Sequence, residues 1–243
     1  MTIKNKRLLF ISIQGSFQNF EISLFDNKNI LASIQKKAVR ASSILIPEIE
    51  NLLKKHGLSL EDISFIAIDQ GPGAFTSLRV TITLANAIAF AQNIPLVGVD
   101  GLEALAQETI DSVATKEFEV QPTLLVSLLN AYNKEVYFAI HKITNGLIAI
   151  EKNYKNIDLL LRELSEKYVS ESILFAGNAV DLYQDKIQET FKNKSIILEK
   201  SIDVCSSEKI GEMGLEQWNK KENVQKSLYP LYLKSQKFAT RKK

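Results

Sequence analysis

The sequence predicts an α/β chain of two lobes, and three features carry that prediction. A run of three short strands opens the chain, strands and helices alternate after it, and the same order of elements returns in the second half. Residues 8–14 (LFISIQG), 17–25 (FQNFEISLF) and 29–36 (NILASIQK) are apolar or alternating runs joined at Gly15-Ser16 and Asp26-Asn27-Lys28, the spacing of an antiparallel meander. Ala41, Ile44, Leu45, Ile49, Leu52 and Leu53 then recur at three and four residues, the period of a helix with one buried face. Pro47 lies inside it, so the helix either bends there or becomes regular near Ile46. A strand at 63–69, a helix from about 76 to 93, a strand at 95–99 and a helix through Leu102, Leu105 and Ala106 complete the first half.

A charged stretch from Thr115 to Gln121, closed by Pro122, marks the expected boundary between a lobe of residues 1–115 and a lobe of residues 116–233. Strands are expected at 123–129, 135–141 and 146–151, then a helix at 157–168 with Ile157, Leu160, Leu161, Leu164 and Tyr168 on one side. A strand at 172–176, a helix over 179–189 and a strand near 195–199 repeat the earlier order with little identity. A last helix, 205–219, places Ile210, Met213, Leu215 and Trp218 where they could pack back across the lobes. Duplicated mixed-sheet domains with crossover helices are the plan of the two-lobed actin-like ATPase (ASKHA) fold, a fold-level analogy silent about chemistry.

Composition narrows the classes of function. With 45% apolar and 24% charged residues the chain is of ordinary globular type. Its one cysteine, Cys205, cannot close an internal disulfide, and no His/Cys spacing suits a zinc site, so a reducing, cytoplasmic setting is expected. The first apolar run is interrupted by Ser12 and Gln14 and reads as a strand, and no run approaches the roughly 20 residues of a membrane span. A net charge of +2 gives no global signal for nucleic acid. The tail, 234–243, differs: Lys234, Lys237, Arg241, Lys242 and Lys243 stand there without an acid, as a flexible terminus or a weak phosphate contact.

The sharpest local signal is DQGPGAFTSLR, 69–79, followed by an alanine-rich helix. Gly71 and Gly73 free the backbone on either side of Pro72, and Thr76 is expected to cap the helix. Such a turn can cradle an anion or simply reverse the chain; neither the P-loop ending Gly-Lys-Ser/Thr nor GxGxxG is present. Ala85, Ala87, Ala89 and Ala91 keep the helix slim enough for another to approach. Asp69 and Asp100, at strand ends, read as exposed turn or cap residues before metal ligands, His56 as a solvent-facing helix end, and Cys205 has no histidine nearby in sequence to activate it. Arg79 could face solvent, pair with an acid on a partner or reach a phosphate.

GPGAFTSLR, IPLVGVDGLEALA and NKEVYFA, with SSILIPEIENLL before them and YPLYLKS near the end, together resemble the TsaB (YeaZ) family, a tRNA threonylcarbamoyladenosine biosynthesis subunit. The family's opening Ile-Asp-Thr-Ser is replaced by Ile13-Gln14-Gly15-Ser16, Ser77 and Thr81 stand for glycines, and a basic lead into the first helix is reduced to Arg40-Ala41-Ser42-Ser43. Loss of the first-strand acid weakens the case for autonomous ATP hydrolysis.

The resemblance implies a non-catalytic scaffold that binds TsaD, the subunit performing threonylcarbamoyl transfer to the adenosine beside the anticodon. TsaE joins the pair, tRNA is met through the complex, and a homodimer can form when the partner is absent. It implies no catalytic residue and no metal in this chain; no cofactor is expected on the chain alone, and a nucleotide at the partner interface is left open. The interface candidates are Ile44, Leu45, Ile49 and Leu52 on the first helix, and Phe75, Thr76, Arg79, Thr83 and Ala87 on the alanine-rich one. The residues also leave room for an autonomous, divergent actin-like ATPase or phosphotransferase; a peptidase lacks an identifiable nucleophile and base.

Overall fold

The structure, a computed structural model, describes residues 7–37, 41–198 and 202–234. Four of the five tail cations, Lys237, Arg241, Lys242 and Lys243, and Arg40 of the helix lead lie outside the described residues.

In the first half, β1 (Leu9–Gln14), β2 (Asn19–Asp26) and β3 (Asn29–Lys37) form the antiparallel meander. The helix α1 (Ala41–Lys55) runs through Pro47 without interruption. Then β4 (Phe65–Asp69), α2 (Phe75–Gln92), β5 (Leu96–Val99) and α3 (Gly101–Val113) follow, with β4 parallel to β1 and β5 parallel to β4. In the second half β6 (Leu124–Asn130), β7 (Glu135–Ile143), β8 (Leu147–Asn156), α4 (Ile157–Lys167), β9 (Ile173–Ala176), α5 (Gln184–Phe191), β10 (Ser195–Ile197) and α6 (Ser207–Lys220) repeat the pattern. The sheets run β3-β2-β1-β4-β5 and β8-β7-β6-β9-β10, the same order twice, and a two-residue β11 (Val224–Gln225) adds antiparallel to β5. The expected strand at 146–151 continues to Asn156, and the helix expected from 179 becomes a short 3-10 turn before α5.

On one face of the first sheet α1 and α2 close a core with Ile11, Ile13, Ile66 and Ile68, and on one face of the second α4 and α5 close another with Val126, Phe138 and Phe175. The third helix of each half crosses over. Ala106 and Val113 of α3 pack with Leu125 and Leu174 of the second sheet, whereas Ile210 and Leu215 of α6 join Phe10, Phe25 and Phe65 of the first. A boundary drawn at residue 115 therefore separates the chain but not the layers: α3 serves the second sheet, and α6 with the segment after it serves the first.

The seat of α6 explains polar residues inside buried strands. Ser12 Oγ donates to the Ser207 carbonyl at 2.6 Å, and the Ser23 and Ser207 hydroxyls lie 2.7 Å apart. Glu108 accepts from the Ser206 N–H at 2.8 Å and Glu21 from the Ser207 N–H at 3.1 Å, so carboxylates meet the positive end of the helix. A Cβ on Gly214 would lie 2.5 Å from that of Ala67, which fixes how closely the helix approaches the sheet. Phe25, Phe10, Phe65 and Trp218 stack in sequence at 4.4–4.6 Å between ring centres. Among the described residues no helix is long and apolar enough to cross a membrane.

Candidate functional site

The strand β4 delivers Asp69 to the start of the glycine turn. Gly71 adopts φ of +95°, a region open to glycine, and its N–H donates to Asp69 Oδ1 at 2.7 Å. Asp69 is not the exposed turn residue expected from sequence: it is 1% exposed, and its Oδ2 meets no hydrogen-bond partner. Burial pushes its carboxyl up to about 6. Beside it, Gln14 Nε2 donates to Ser16 Oγ at 3.1 Å.

The β1–β2 turn folds directly onto the glycine turn. The Ala74 N–H donates to the Ser16 carbonyl at 2.7 Å, and a Cβ on Gly73 would lie 2.5 Å from that same oxygen. The actin-like fold implies a metal-bound nucleotide between such turns, and these residues do not fit one. A cavity of about 420 Å³ opens beside the two turns, lined by Phe17, Asn19, Ala74, Ser77 and Tyr132 among others, but no carboxylate enters its lining: the first-strand acid is the amide Gln14, and Asp69 is buried. Among the described residues no three His, Cys, Asp or Glu side chains gather where they could hold a metal ion.

Helix α2 begins at Phe75 with Ala74 at its N-cap, so Thr76 is a first-turn residue and not the expected cap. Thr81 fills the space against Gly15, its hydroxyl donating to the Ser77 carbonyl at 2.9 Å with the Gly15 carbonyl 3.2 Å away. Leu78, Ile82, Ala85, Ile88 and Ala89 face the core. The opposite face, at helical spacing, is Thr76, Arg79, Thr83, Ala87 and Phe90, all exposed, with Phe90 at 90%.

The candidates on α1 divide differently. Leu45, Ile49 and Leu52 lie in the core beneath the first sheet, packed with Phe20, Ile22 and Ile82, and are unavailable to any partner. Ile44 is half-buried at its margin. Of the nine residues proposed from sequence, Thr76, Arg79, Thr83 and Ala87 share one accessible face, and Phe75 stands half-buried at its start.

At that start a segment the sequence reading did not assign to the site crosses α2. Asn86 holds Leu228 by both backbone groups, each at 2.9 Å, and Gln70 accepts from the Leu231 N–H at 2.8 Å while donating to the Tyr229 carbonyl at 2.9 Å. Arg79 lies 3.5 Å over the Phe75 ring and donates from Nε to the Tyr232 hydroxyl at 2.7 Å. Lys234 then bridges to Glu135 and to the Ala131 carbonyl in the second half. Asn86, an amide within the alanine-rich half of the helix, is the sequence signal for this strap.

Asp100 caps α3, accepting from the Leu102 and Glu103 N–H groups, and pairs with Lys152. His141, buried, places Nε2 2.7 Å from Glu103 Oε2, and that contact, with Lys152 nearby, lowers the Glu103 carboxyl below its ordinary range. His56 is exposed, and Cys205 is buried with its thiol pushed well up by desolvation.

The duplicated sheets and exchanged third helices define a two-lobed protein of the actin-like plan. The family described as "TsaD: tRNA N6-adenosine threonylcarbamoyltransferase" matches residues 30–242. The tRNA threonylcarbamoyladenosine biosynthesis protein TsaB of Bacillus subtilis is 25% identical over 193 residues, 78% of this chain and 80% of that one. The protein of the same description from Buchnera aphidicola subsp. Baizongia pistaciae is 28% identical over 233 residues, 92% and 96% of the two chains. YeaZ from Pseudomonas aeruginosa has the same fold, with a TM-score of 0.73 at 20% identity over 93% of this chain and all of that one. This chain belongs to the TsaD family and, within it, to the TsaB (YeaZ) branch.

Proposed function

We propose that the chain acts in tRNA threonylcarbamoyladenosine biosynthesis as a scaffold that docks the transferase subunit, TsaD, on the outer face of α2. One observation carries this reading: a helix with a single charged residue, Arg79, presents Thr83, Ala87 and a 90% exposed Phe90 to solvent. Small residues leading to an exposed aromatic anchor suit a helix-to-helix interface. The amide at Gln14 in place of a first-strand acid and the burial of Asp69 support a docking role over an autonomous ATPase, because they leave no accessible carboxylate at the ends of β1 and β4 to hold a metal-bound phosphate. Chemistry then belongs to the companion, and TsaE and tRNA are met through the assembly.

Phe90→Glu tests the reading. Placed in a desolvated interface, the carboxylate has no partner, and co-purification of TsaD is expected to fail while the melting temperature of this chain stays put. Retention of TsaD by the variant would remove this face from the interface. Turnover of ATP by the purified chain, lost in Arg79→Ala, would favour the phosphotransferase reading instead.

A further inference from the structure

The cavity beside the two turns has lost its acids and kept other chemistry. Gln18, Asn19, Lys37, Ser77 and Tyr132 bring polar side chains to its lining, and none of these side chains makes a hydrogen bond or ion pair among the described residues. Neighbours on the same strands are paired, Gln35 with Glu21 and Lys36 with Glu48. Five unspent polar groups around about 420 Å³, a volume in the range of small-molecule sites, form a pocket whose partners come with a ligand.

The lining selects the class of ligand. Lys37 is its one charged residue, so the pocket favours a negative group. The start of α2 adds to this through Ala74 and Ser77, because it has neither a capping side chain nor an acid in its first turn and its positive end is uncompensated. One cation balances a carboxylate, whereas a polyphosphate would need the metal that these residues cannot hold.

Phe17 on the β1–β2 turn and Tyr132 on the β6–β7 turn supply two rings, and the amides of Gln18 and Asn19 can donate and accept at the edge of a flat molecule. Tyr132 is 57% exposed, yet its backbone is fixed: its N–H donates to Asn130 Oδ1 and its carbonyl accepts from the Glu135 N–H, both at 2.9 Å. Tyr132, Asn133 and Lys134 hold φ of +60°, +53° and +59°, three successive non-glycine residues in the left-handed region. Costly backbone of this kind is concentrated at ligand clamps.

We propose that this cavity binds a small aromatic carboxylate without a metal, its ring against Phe17 and Tyr132 and its carboxylate at Lys37 and Ser77. The position is that of the fold's nucleotide cleft, and the chemistry is changed from a metal-bound polyphosphate to a single negative charge. Tyr132 belongs to the second half and the other lining residues to the first, so an occupant ties the halves together. Thr83, Ala87 and Phe90 take no part in the lining, and the inference stands apart from the proposed role with TsaD.

The test titrates the full, isotope-labelled chain with phenylacetate and follows amide resonances. Saturating shifts are expected at Asn19, Lys37, Ser77 and Tyr132 in the millimolar range, the same with and without a chelator. Phenylacetamide keeps the ring and loses the charge, cyclohexylacetate keeps the charge and loses the flat ring, and each is expected to bind roughly tenfold more weakly. Tyr132→Asn, which suits a left-handed backbone, is expected to weaken phenylacetate about fivefold and Tyr132→Phe to retain it. Lys37→Met is expected to abolish the preference for the acetate over the acetamide. Phe90→Glu is expected to bind phenylacetate as wild type does, whatever happens to TsaD in that variant. Absence of shifts at these residues would overturn the proposal. So would equal affinity for the acetamide, undiminished affinity in both Tyr132→Asn and Lys37→Met, or tighter binding of Mg-ATP than of phenylacetate at the same residues.

Discussion

Helices α1 and α2 lie side by side on the first sheet, and they spend their apolar residues in opposite ways. In α1 the charges Glu48, Glu50, Lys54 and Lys55 share the helix with Leu45, Ile49 and Leu52, which all turn inward. In α2 there is one charge in 18 residues, and apolar side chains point both ways, Ile82 and Ile88 into the core and Ala87 and Phe90 out of it. A helix that segregates its residues has finished its packing within its own chain. One that also turns a large aromatic outward has a second patch still to cover.

Leu45→Ala probes this difference with the largest effect. The side chain is fully buried among Phe20, Ile22 and Ile82, so truncation leaves a cavity and is expected to cost roughly 2–5 kcal/mol in chemical denaturation. A loss below about 0.5 kcal/mol, with TsaD binding impaired, would return α1 to the interface and erase the contrast.

The turn that opens α2 yields the next effect in size. The Asp69 carboxyl is pushed from 3.8 to about 6 by burial, so the folded chain holds a proton that the unfolded chain releases earlier. Well below pH 3.8 both states are protonated and the group costs nothing. As pH rises from 3.8 through 6 stability falls, by as much as about 3 kcal/mol, and the loss persists above that window. Asp69→Asn keeps an acceptor for the Gly71 N–H and carries no charge. Urea unfolding at a series of pH values is expected to show the variant more stable near pH 7 and without the descending limb. A wild-type curve flat between pH 4 and 6 would mean that Asp69 is hydrated.

Sequence made the elements and the duplication legible because periodicity reports which face of a segment is apolar. What covers that face it does not report, and the errors follow from this. Leu45, Ile49 and Leu52 looked like an interface since nothing local says whether α2 or another protein lies over them. Likewise the crossing of α3 and α6 between sheets is a tertiary choice. Its traces were present in the paired Gly211 and Gly214 of α6 and in Ser12 and Ser23 set into buried strands, and they gain meaning only with the helix in place. Asp69 was misread for a related reason: a strand-end acid is ordinarily wet, and here Gly101, remote in the chain, packs against its carboxyl.

The smallest effect is the sharpest test of the two-faced helix. Phe90 touches water over 90% of its surface, so Phe90→Ala removes little burial and is expected to change the stability of the isolated chain by no more than about 0.5 kcal/mol. The same truncation deletes the largest apolar group on the outer stripe, and an anchor of that kind is worth 2 kcal/mol or so where an interface buries it. Titrating wild type and variant against TsaD by calorimetry is therefore expected to show affinity weakened by roughly thirtyfold between proteins of equal melting temperature. Equal affinity would mean that the outer face stays wet in the complex, and the apolar character of α2 would then need another explanation than a partner.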